Sequence, residues 1–359
     1  MNAPAGRLAT LVEHGMPALI RDYGEQLTAH QRRALHAIAT CRTGACGTTE
    51  LHCADCGHAA VRLRSCGHRA CPQCQHTTAR DWLERQHAKL LPVDYFMITF
   101  TLPSALRPLA YRQPHTVYPA FFEAVASTLK SFGRNHPELN AELGFSAILH
   151  THSRQLDYHP HIHVIIPGGG IDGRERPTRL WRTLEGRYLF NGFAVAKVFR
   201  ARCLDALRRA GIALPANLPK KWVVHCKHVG QGLPALKYLS RYLYRGVLSE
   251  RDLVGYDRDN QTVTFRYRHA PTGRFRQRTL SIADFLWHIA LHILPKGFQR
   301  VRHYGFLHGN ARRLLNLVQH VLRVIVSPTP TPQPNPFLCS ACGRPMLFTR
   351  PPGARPPSG

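Results

Sequence analysis

Apolar and polar positions alternate along this chain in blocks that predict most of its elements. The region from residue 1 to about 40 reads as helical, with a 3.6-residue period through Leu27 to Ile38. Ala79 to Leu91 (ARDWLERQHAKLL) is an amphipathic helix stopped by Pro92. Tyr95 to Leu102 (YFMITFTL) alternates with period two and puts Phe96, Ile98, Phe100 and Leu102 on one side. A helix is predicted over Pro119 to Phe132 and a strand over Phe145 to His152. The next strand, HPHIHVII from His159, runs into Gly168-Gly169-Gly170. Its alternation places His159, His161 and His163 on one face and Ile162 and Val164 on the other, toward a core. Strand and helix signals then alternate to about residue 250. Thr262 to Arg268 and Arg274 to Leu280 flank Pro271-Thr272-Gly273 and predict a basic hairpin. Helices are predicted at 282–294 and 309–326. Ser327 to Pro336 (SPTPTPQPNP) reads as a proline-rich linker, and the closing RPPGARPPSG as a disordered tail. No internal repeat is visible.

Composition narrows the partner. The 359 residues leave room for a sizeable core and for two or three domains. Lys and Arg number 48 against 21 Asp and Glu, a formal net charge of +27. Such an excess favours a polyanion, either nucleic acid or an anionic membrane. Basic residues are spread over the whole length, which suits an extended nucleic-acid surface better than a membrane patch. No apolar run reaches transmembrane length. The start, MNAPAGRLATLVEHG, lacks the apolar stretch of a signal peptide. An intracellular protein is therefore expected.

Seven of eleven cysteines lie between Cys41 and Cys74. Clustered CxxC pairs in an intracellular chain point to zinc rather than disulfides. Cys53-Ala-Asp-Cys56 and Cys71-Pro-Gln-Cys74, fourteen residues apart, have the spacing of a four-thiolate structural site. Cys41, Cys46 and Cys66, with His52, His58, His68 and His76 nearby, could build a second site whose ligand set spacing leaves open. Arg62, Arg64, Arg69 and Arg80 around the block suit DNA contact. Cys339-Ser-Ala-Cys342 is a lone knuckle that needs ligands from elsewhere, or else forms a redox-labile pair. Cys203 and Cys226 stand alone and read as small buried hydrophobes.

Two patterns carry the chemistry. The three same-face histidines on one rigid strand make a metal platform. The second pattern is PALKYLSRYLYRG, from Pro234 to Gly246. Pro234 suits a first helical turn and Gly246 a stop. Leu236, Leu239, Leu243 and Val247 gather on one stripe, whereas Tyr238 and Tyr242 are neighbours on the opposite face, bordered by Arg241 and Arg245. Such a face could attack and hold a phosphodiester.

A histidine pair separated by one apolar residue, followed by a two-tyrosine helix, resembles the HUH single-strand endonucleases. The match becomes specific through SCGHRACPQCQ (65–75), FMITFTLP (96–103), HPHIHVIIPGGG (159–170), YLSRYLYR (238–245) and LPKGFQRVRHYG (294–305). In this order they resemble the rolling-circle transposases of the insertion-sequence 91 family, over roughly residues 30–310. The resemblance implies an α+β fold. A central antiparallel sheet of the HUH endonuclease type carries flanking helices and is preceded by a small Cys-rich zinc module. It implies a helical, zinc-binding DNA-binding module over 1–92. A two-tyrosine nuclease domain with a basic helical part follows over 93–326, then the linker, knuckle and tail over 327–359.

By the same resemblance His161 and His163 are ligands of a catalytic Mg²⁺ or Mn²⁺, and Tyr238 and Tyr242 are the nucleophiles. His159 is on the correct face for the third ligand, with Gln155, His150 and His152 as rivals. The C-terminal knuckle resembles a CxxCG element of the same family. Zn²⁺ is expected in the cysteine block. Lys296, Arg300 and Arg302, together with Arg241 and Arg245, are expected to touch DNA. The implied substrate is single-stranded DNA at element ends and targets. No Walker-type loop is present, so strand separation is expected from host replication or helicase functions. Three competing readings explain less. A zinc hydrolase lacks an HxHxDH continuation and leaves the tyrosines idle. A non-catalytic zinc-finger protein leaves the histidine strand unexplained. A plasmid replication initiator or relaxase shares the chemistry but not the cysteine block or the 294–305 segment.

Overall fold

The computed structural model describes residues 8–172, 181–184, 189–234, 236–237, 247–269, 271–324 and 337–349, with backbone alone at 75–80. Two helices come first, α1 (Leu8–Tyr23) and α2 (Ala29–Ala39). Thr28 caps α2 in a reciprocal box. Its hydroxyl accepts from the Gln31 amide, and the Gln31 side chain accepts from the Thr28 amide. The cysteine block forms a hairpin of β1 (Thr48–Cys53) and β2 (Ala59–Leu63), then α3 (Gln75–His87). That helix starts before the predicted Ala79 and stops short of Leu91.

The central sheet contains β3 (Tyr95–Thr101), β5 (Phe145–His152), β6 (Tyr158–Pro167), β9 (Val224–His228) and β13 (Val301–Tyr304). Its order is β13-β5-β6-β3-β9, antiparallel throughout, with the histidine strand β6 in the middle. Phe96, Ile98 and Phe100 alternate onto one face, as the sequence pattern requires. There they pack with Ile162, Val164 and Leu149 beneath α5 (Pro114–Asn135) and α6 (Gly192–Arg209), while the short α4 (Arg107–Arg112) precedes α5. Phe199 of α6 lies edge-on to Phe100 at 4.9 Å and tilted against Phe121 at 5.7 Å. Phe121 is fully buried. Phe121→Ala is expected to cost about 3–5 kcal/mol, because the densely packed layer cannot close over the lost ring. Chemical denaturation of the purified variant would measure it.

A small sheet, ordered β4-β7-β8, joins β4 (Ala141–Glu142), β7 (Gly169–Asp172) and β8 (Trp181–Thr183). It explains the glycine run after the histidine strand. A Cβ on Gly169 would lie 2.5 Å from the Arg182 carbonyl oxygen, and one on Gly170 would lie 2.7 Å from that of Glu142. Only glycine allows the backbones to approach so closely.

The predicted basic hairpin is β11 (Thr262–Arg268) and β12 (Phe275–Ser281), extended to a meander by β10 (Leu253–Asp257). Helix α7 (Ile282–Ala290) follows it and packs with α1 and α2. Phe265, Phe285 and Leu286 share a core with Leu11, Val12, Leu19 and Leu35. Helix α8 (Arg312–Val321) is shorter than predicted. The last strand, β14 (Met346–Phe348), returns to the cysteine block and pairs antiparallel with β1, giving the order β14-β1-β2. No helix among the described residues is long and apolar enough to cross a membrane. The mixed α+β architecture with antiparallel sheets is as the sequence predicts. The linker 327–336 and the tail from 350 lie outside the described residues.

Candidate functional site

Three histidines converge on the sheet face opposite α5 and α6. His161 and His163 come from β6, and His150 comes from β5, where it pairs directly across from His161. Their ring nitrogens all lie within 4.8 Å of one another. Ring centroids are 5.3 Å apart for His150 and His161, 4.6 Å for His150 and His163, and 4.8 Å for His161 and His163. Nδ1 of His161 donates to the His159 carbonyl at 2.6 Å, which leaves Nε2 as a lone-pair donor. Nδ1 of His163 meets the Thr99 hydroxyl at 2.9 Å. Burial holds all three rings neutral. It pushes His161 down to about 4, His163 to about 3, and His150 well below its ordinary value. Neutral, buried, convergent imidazoles are what a metal ion needs.

His159, expected as a third member, is not in this group. It sits at the half-buried start of β6, and Arg107 of α4 donates to its Nδ1 at 2.7 Å. Cross-strand register, not same-strand spacing, selects His150. The hairpin joining these strands is held from behind. Leu156, buried in the turn at φ +69°, offers its carbonyl to His292 Nε2 at 2.9 Å and to His288 Nδ1 at 3.0 Å. Arg278 of the basic hairpin donates to Gln155 O at 2.6 Å and to Asp157 at 2.8 Å.

The thiols partition differently from the spacing-based expectation. Cys53 and Cys56 do not meet Cys71 and Cys74. One group is Cys41, Cys66, Cys71 and Cys74, and the other is Cys53, Cys56, Cys339 and Cys342, each within 4.8 Å. Cys41 and Cys66 each stand 3.6 Å from Cys74. Cys46 joins neither group; its thiol donates to the Thr40 carbonyl at 3.2 Å. The Cys71 knuckle runs straight into α3 and faces the end of α2, whereas Cys53 ends β1 and is carried toward β14. Cys203 of α6 is buried in the core, as expected for a small hydrophobe.

Comparison with known proteins fits this layout. A model described as "Transposase zinc-binding domain" matches residues 11–102, and one described as "Putative transposase" matches residues 144–314. The chain is 38% identical over 330 residues to "Putative transposase y4qJ" of Sinorhizobium fredii, covering 84% of this chain and 82% of that one. It is 28% identical over 344 residues to "Transposase for insertion sequence element IS801" of Pseudomonas savastanoi pv. phaseolicola, covering 87% and 82% respectively. The chain belongs to the IS91 family of transposases.

The transposase therefore binds DNA and carries structural zinc in its cysteine-rich part. Its basic residues fall into distinct settings. Arg300 lines a cleft of about 40 Å³ with Arg69, His152, His292 and Val247. This cleft adjoins the histidine cluster, because His152 stacks on His150 at 6.1 Å. Lys296 is exposed on the preceding loop. Arg302 lies on the opposite face of the sheet, with its guanidinium 4.4 Å over the Phe122 ring, away from the histidines. Tyr304 stacks on Phe145, so part of the predicted 294–305 DNA segment is the edge strand of the sheet.

Tyr238, Tyr242, Arg241 and Arg245 lie outside the described residues. Both flanks of their segment are placed. Leu236 is buried with Ile148 and Ile165 on the histidine face, where Trp82 of α3 joins them. Val247 lines the cleft beside His152.

Proposed function

We propose that this transposase is a metal-dependent single-strand DNA endonuclease and strand transferase that acts by tyrosine attack and drives rolling-circle transposition. The observation that carries this reading is a neutral three-histidine cluster across β5 and β6, beside which Leu236 and Val247, residues on either side of the tyrosine segment, are packed. Nε2 of His161, with His163 and His150, would hold the ion. A divalent ion such as Mg²⁺ or Mn²⁺, when bound there, supplies positive charge to the scissile phosphate; imidazole ligation favours Mn²⁺.

The remaining work belongs to the chain. A tyrosine hydroxyl titrates near 10 in water, so at neutral pH it is a weak nucleophile until its proton is lost in the attack. The phenolic oxygen of Tyr238 or Tyr242 bonds to phosphorus, and the bond from phosphorus to the 3′ oxygen breaks. The leaving oxygen takes up a proton as a 3′-hydroxyl, and the 5′ end stays linked as phosphotyrosine. That ester conserves the bond, so a 3′-hydroxyl can reverse the step at a new site. A second tyrosine permits another cleavage while the first adduct persists. The scissile bond must enter a pocket, which calls for unpaired DNA. Arg69 and Arg300 would position phosphates near the cluster. Host replication or helicase functions would expose the strand.

The direct test incubates the protein with labelled single-stranded DNA bearing the element's end, with Mn²⁺, Mg²⁺ or EDTA, and resolves the products on denaturing gels. A metal-dependent covalent adduct is expected. Tight DNA binding without any adduct would sink the reading. Thr99→Val, which keeps the shape beside His163 but removes the hydroxyl, is expected to weaken Mn²⁺ affinity about 10–100-fold. A titration of cleavage rate against Mn²⁺ would read that shift.

A further inference from the structure

The family model for the zinc-binding domain ends at residue 102, well before the C-terminal knuckle. We infer that one structural zinc of this chain is shared between its two ends, on Cys53, Cys56, Cys339 and Cys342, and that the other is held by Cys41, Cys66, Cys71 and Cys74.

The sulfur geometry fits. A tetrahedral ion with Zn–S bonds of about 2.3 Å needs sulfurs about 3.8 Å apart. Cys53 and Cys342 Sγ are 3.5 Å apart, and Cys56 and Cys339 Sγ are 3.6 Å apart.

The backbone makes an independent case. The two knuckles are copies of one another in conformation. Gly57 follows Cys56 at φ +70°, and Gly343 follows Cys342 at φ +72°. The Gly57 amide donates to the Cys53 carbonyl at 2.9 Å, and the Gly343 amide donates to that of Cys339 at 2.9 Å. The Cys53 amide donates to His58 O at 2.9 Å, and the Cys339 amide donates to Arg344 O at 2.7 Å. Two equivalent CxxCG loops facing each other supply two thiolates apiece from matching positions. The Cys71 knuckle lacks the glycine and enters a helix instead, so it is a poor partner for Cys53 and Cys56. His58 Nε2 and the Ser340 hydroxyl, 3.2 Å apart, also bridge the two loops.

Packing explains why a metal is needed there. The β14-β1-β2 sheet buries little beyond Leu51, Cys53, Cys339 and Met346. Val61 and Leu63 on β2 remain exposed. A core that small does not hold three strands together without a cross-link, and closed zinc sites supply folding free energy in such cases.

The test uses the full chain and two metals. In the cadmium-substituted protein, cadmium-113 NMR is expected to show two signals in the four-thiolate region. A cadmium ion on the nitrogen-donor histidine cluster would fall outside it. Native mass spectrometry of the zinc protein should show one ion lost from C339S/C342S and one from C53S/C56S. The variant combining all four changes should lose the same single ion, not two. Cys41→Ser/Cys74→Ser should lose a different one, so that adding it to C339S/C342S removes two. A single four-thiolate cadmium signal would overturn the inference without relying on any variant. So would a C339S/C342S protein that keeps the wild-type zinc content while C53S/C56S loses an ion. Neither readout depends on DNA cleavage, so a failure of the proposed nuclease chemistry would leave this result intact.

Discussion

A transposase carrying both Tyr238→Phe and Tyr242→Phe will form no covalent adduct with single-stranded DNA, a fall on the order of 10³-fold or more below wild type. Phenylalanine keeps the ring and removes only the hydroxyl oxygen, the atom that must bond to phosphorus. Folding, zinc content and affinity for DNA should be close to unchanged, so the effect will be on chemistry alone. The single variants divide the roles. If one tyrosine opens the reaction, its loss will remove the first adduct, while loss of the other will stop the sequence after one cleavage. Denaturing gels with label on either side of the cut would distinguish these products. An adduct that survives in the double variant would place the nucleophile elsewhere.

His163→Ala is expected to reduce metal-dependent cleavage by more than about 100-fold, a larger effect than losing the Thr99 hydroxyl that merely orients the ring. His161→Ala and His150→Ala should behave alike, with a raised Mn²⁺ requirement. His159→Ala should stay within about tenfold, because Arg107 occupies its Nδ1 and its ring is outside the cluster. Rates measured across Mn²⁺ concentrations would show this ranking; full activity in His150→Ala beside a dead His159→Ala would reverse the assignment of the third ligand. The pH dependence has a definite sign. Folding lowers His161 to about 4 and His163 to about 3, whereas unfolded histidines titrate near 6.5. The unfolded chain therefore binds more protons over that interval. Stability of the metal-free protein should be fully present above about 6.5 and fall as pH drops through 4 to about 3. Thermal melts in EDTA at stepped pH would measure it.

How far sequence reasoning reaches depends on how local the cause is. Alternation in Tyr95–Leu102 settled both the β3 strand and its buried face, because period two is a property of consecutive residues. The same reasoning placed His161 and His163 together. It could not choose His150 over His159, because that choice depends on the register between β5 and β6, which pairs His150 with His161. The face that Arg302 joins was hidden for a related reason. A basic residue among aromatics reads as a nucleic-acid contact, yet its strand parity turns it onto Phe122. The thiol partition was missed because spacing rules favour near neighbours. A signal was present in the shared glycine of Cys53-Ala-Asp-Cys56-Gly57 and Cys339-Ser-Ala-Cys342-Gly343, which Cys71-Pro-Gln-Cys74-Gln75 lacks. The packing of α1 and α2 on the 253–290 region has no comparable local mark; those helices show an apolar stripe, but nothing in it names the partner.

The pairing of β1 with β14 also sets a timetable for the newborn chain. Cys53 and its partner Cys342 are 289 residues apart. At a synthesis rate of about 5–20 residues per second, β1 leaves the ribosome roughly 15–60 s before the strand that completes its sheet. Throughout that interval the β1–β2 hairpin has an unfilled edge and two ligands short of a full set. A transcript cut short before codon 339 would never fill them, so this sheet forms only when translation has run past the second knuckle.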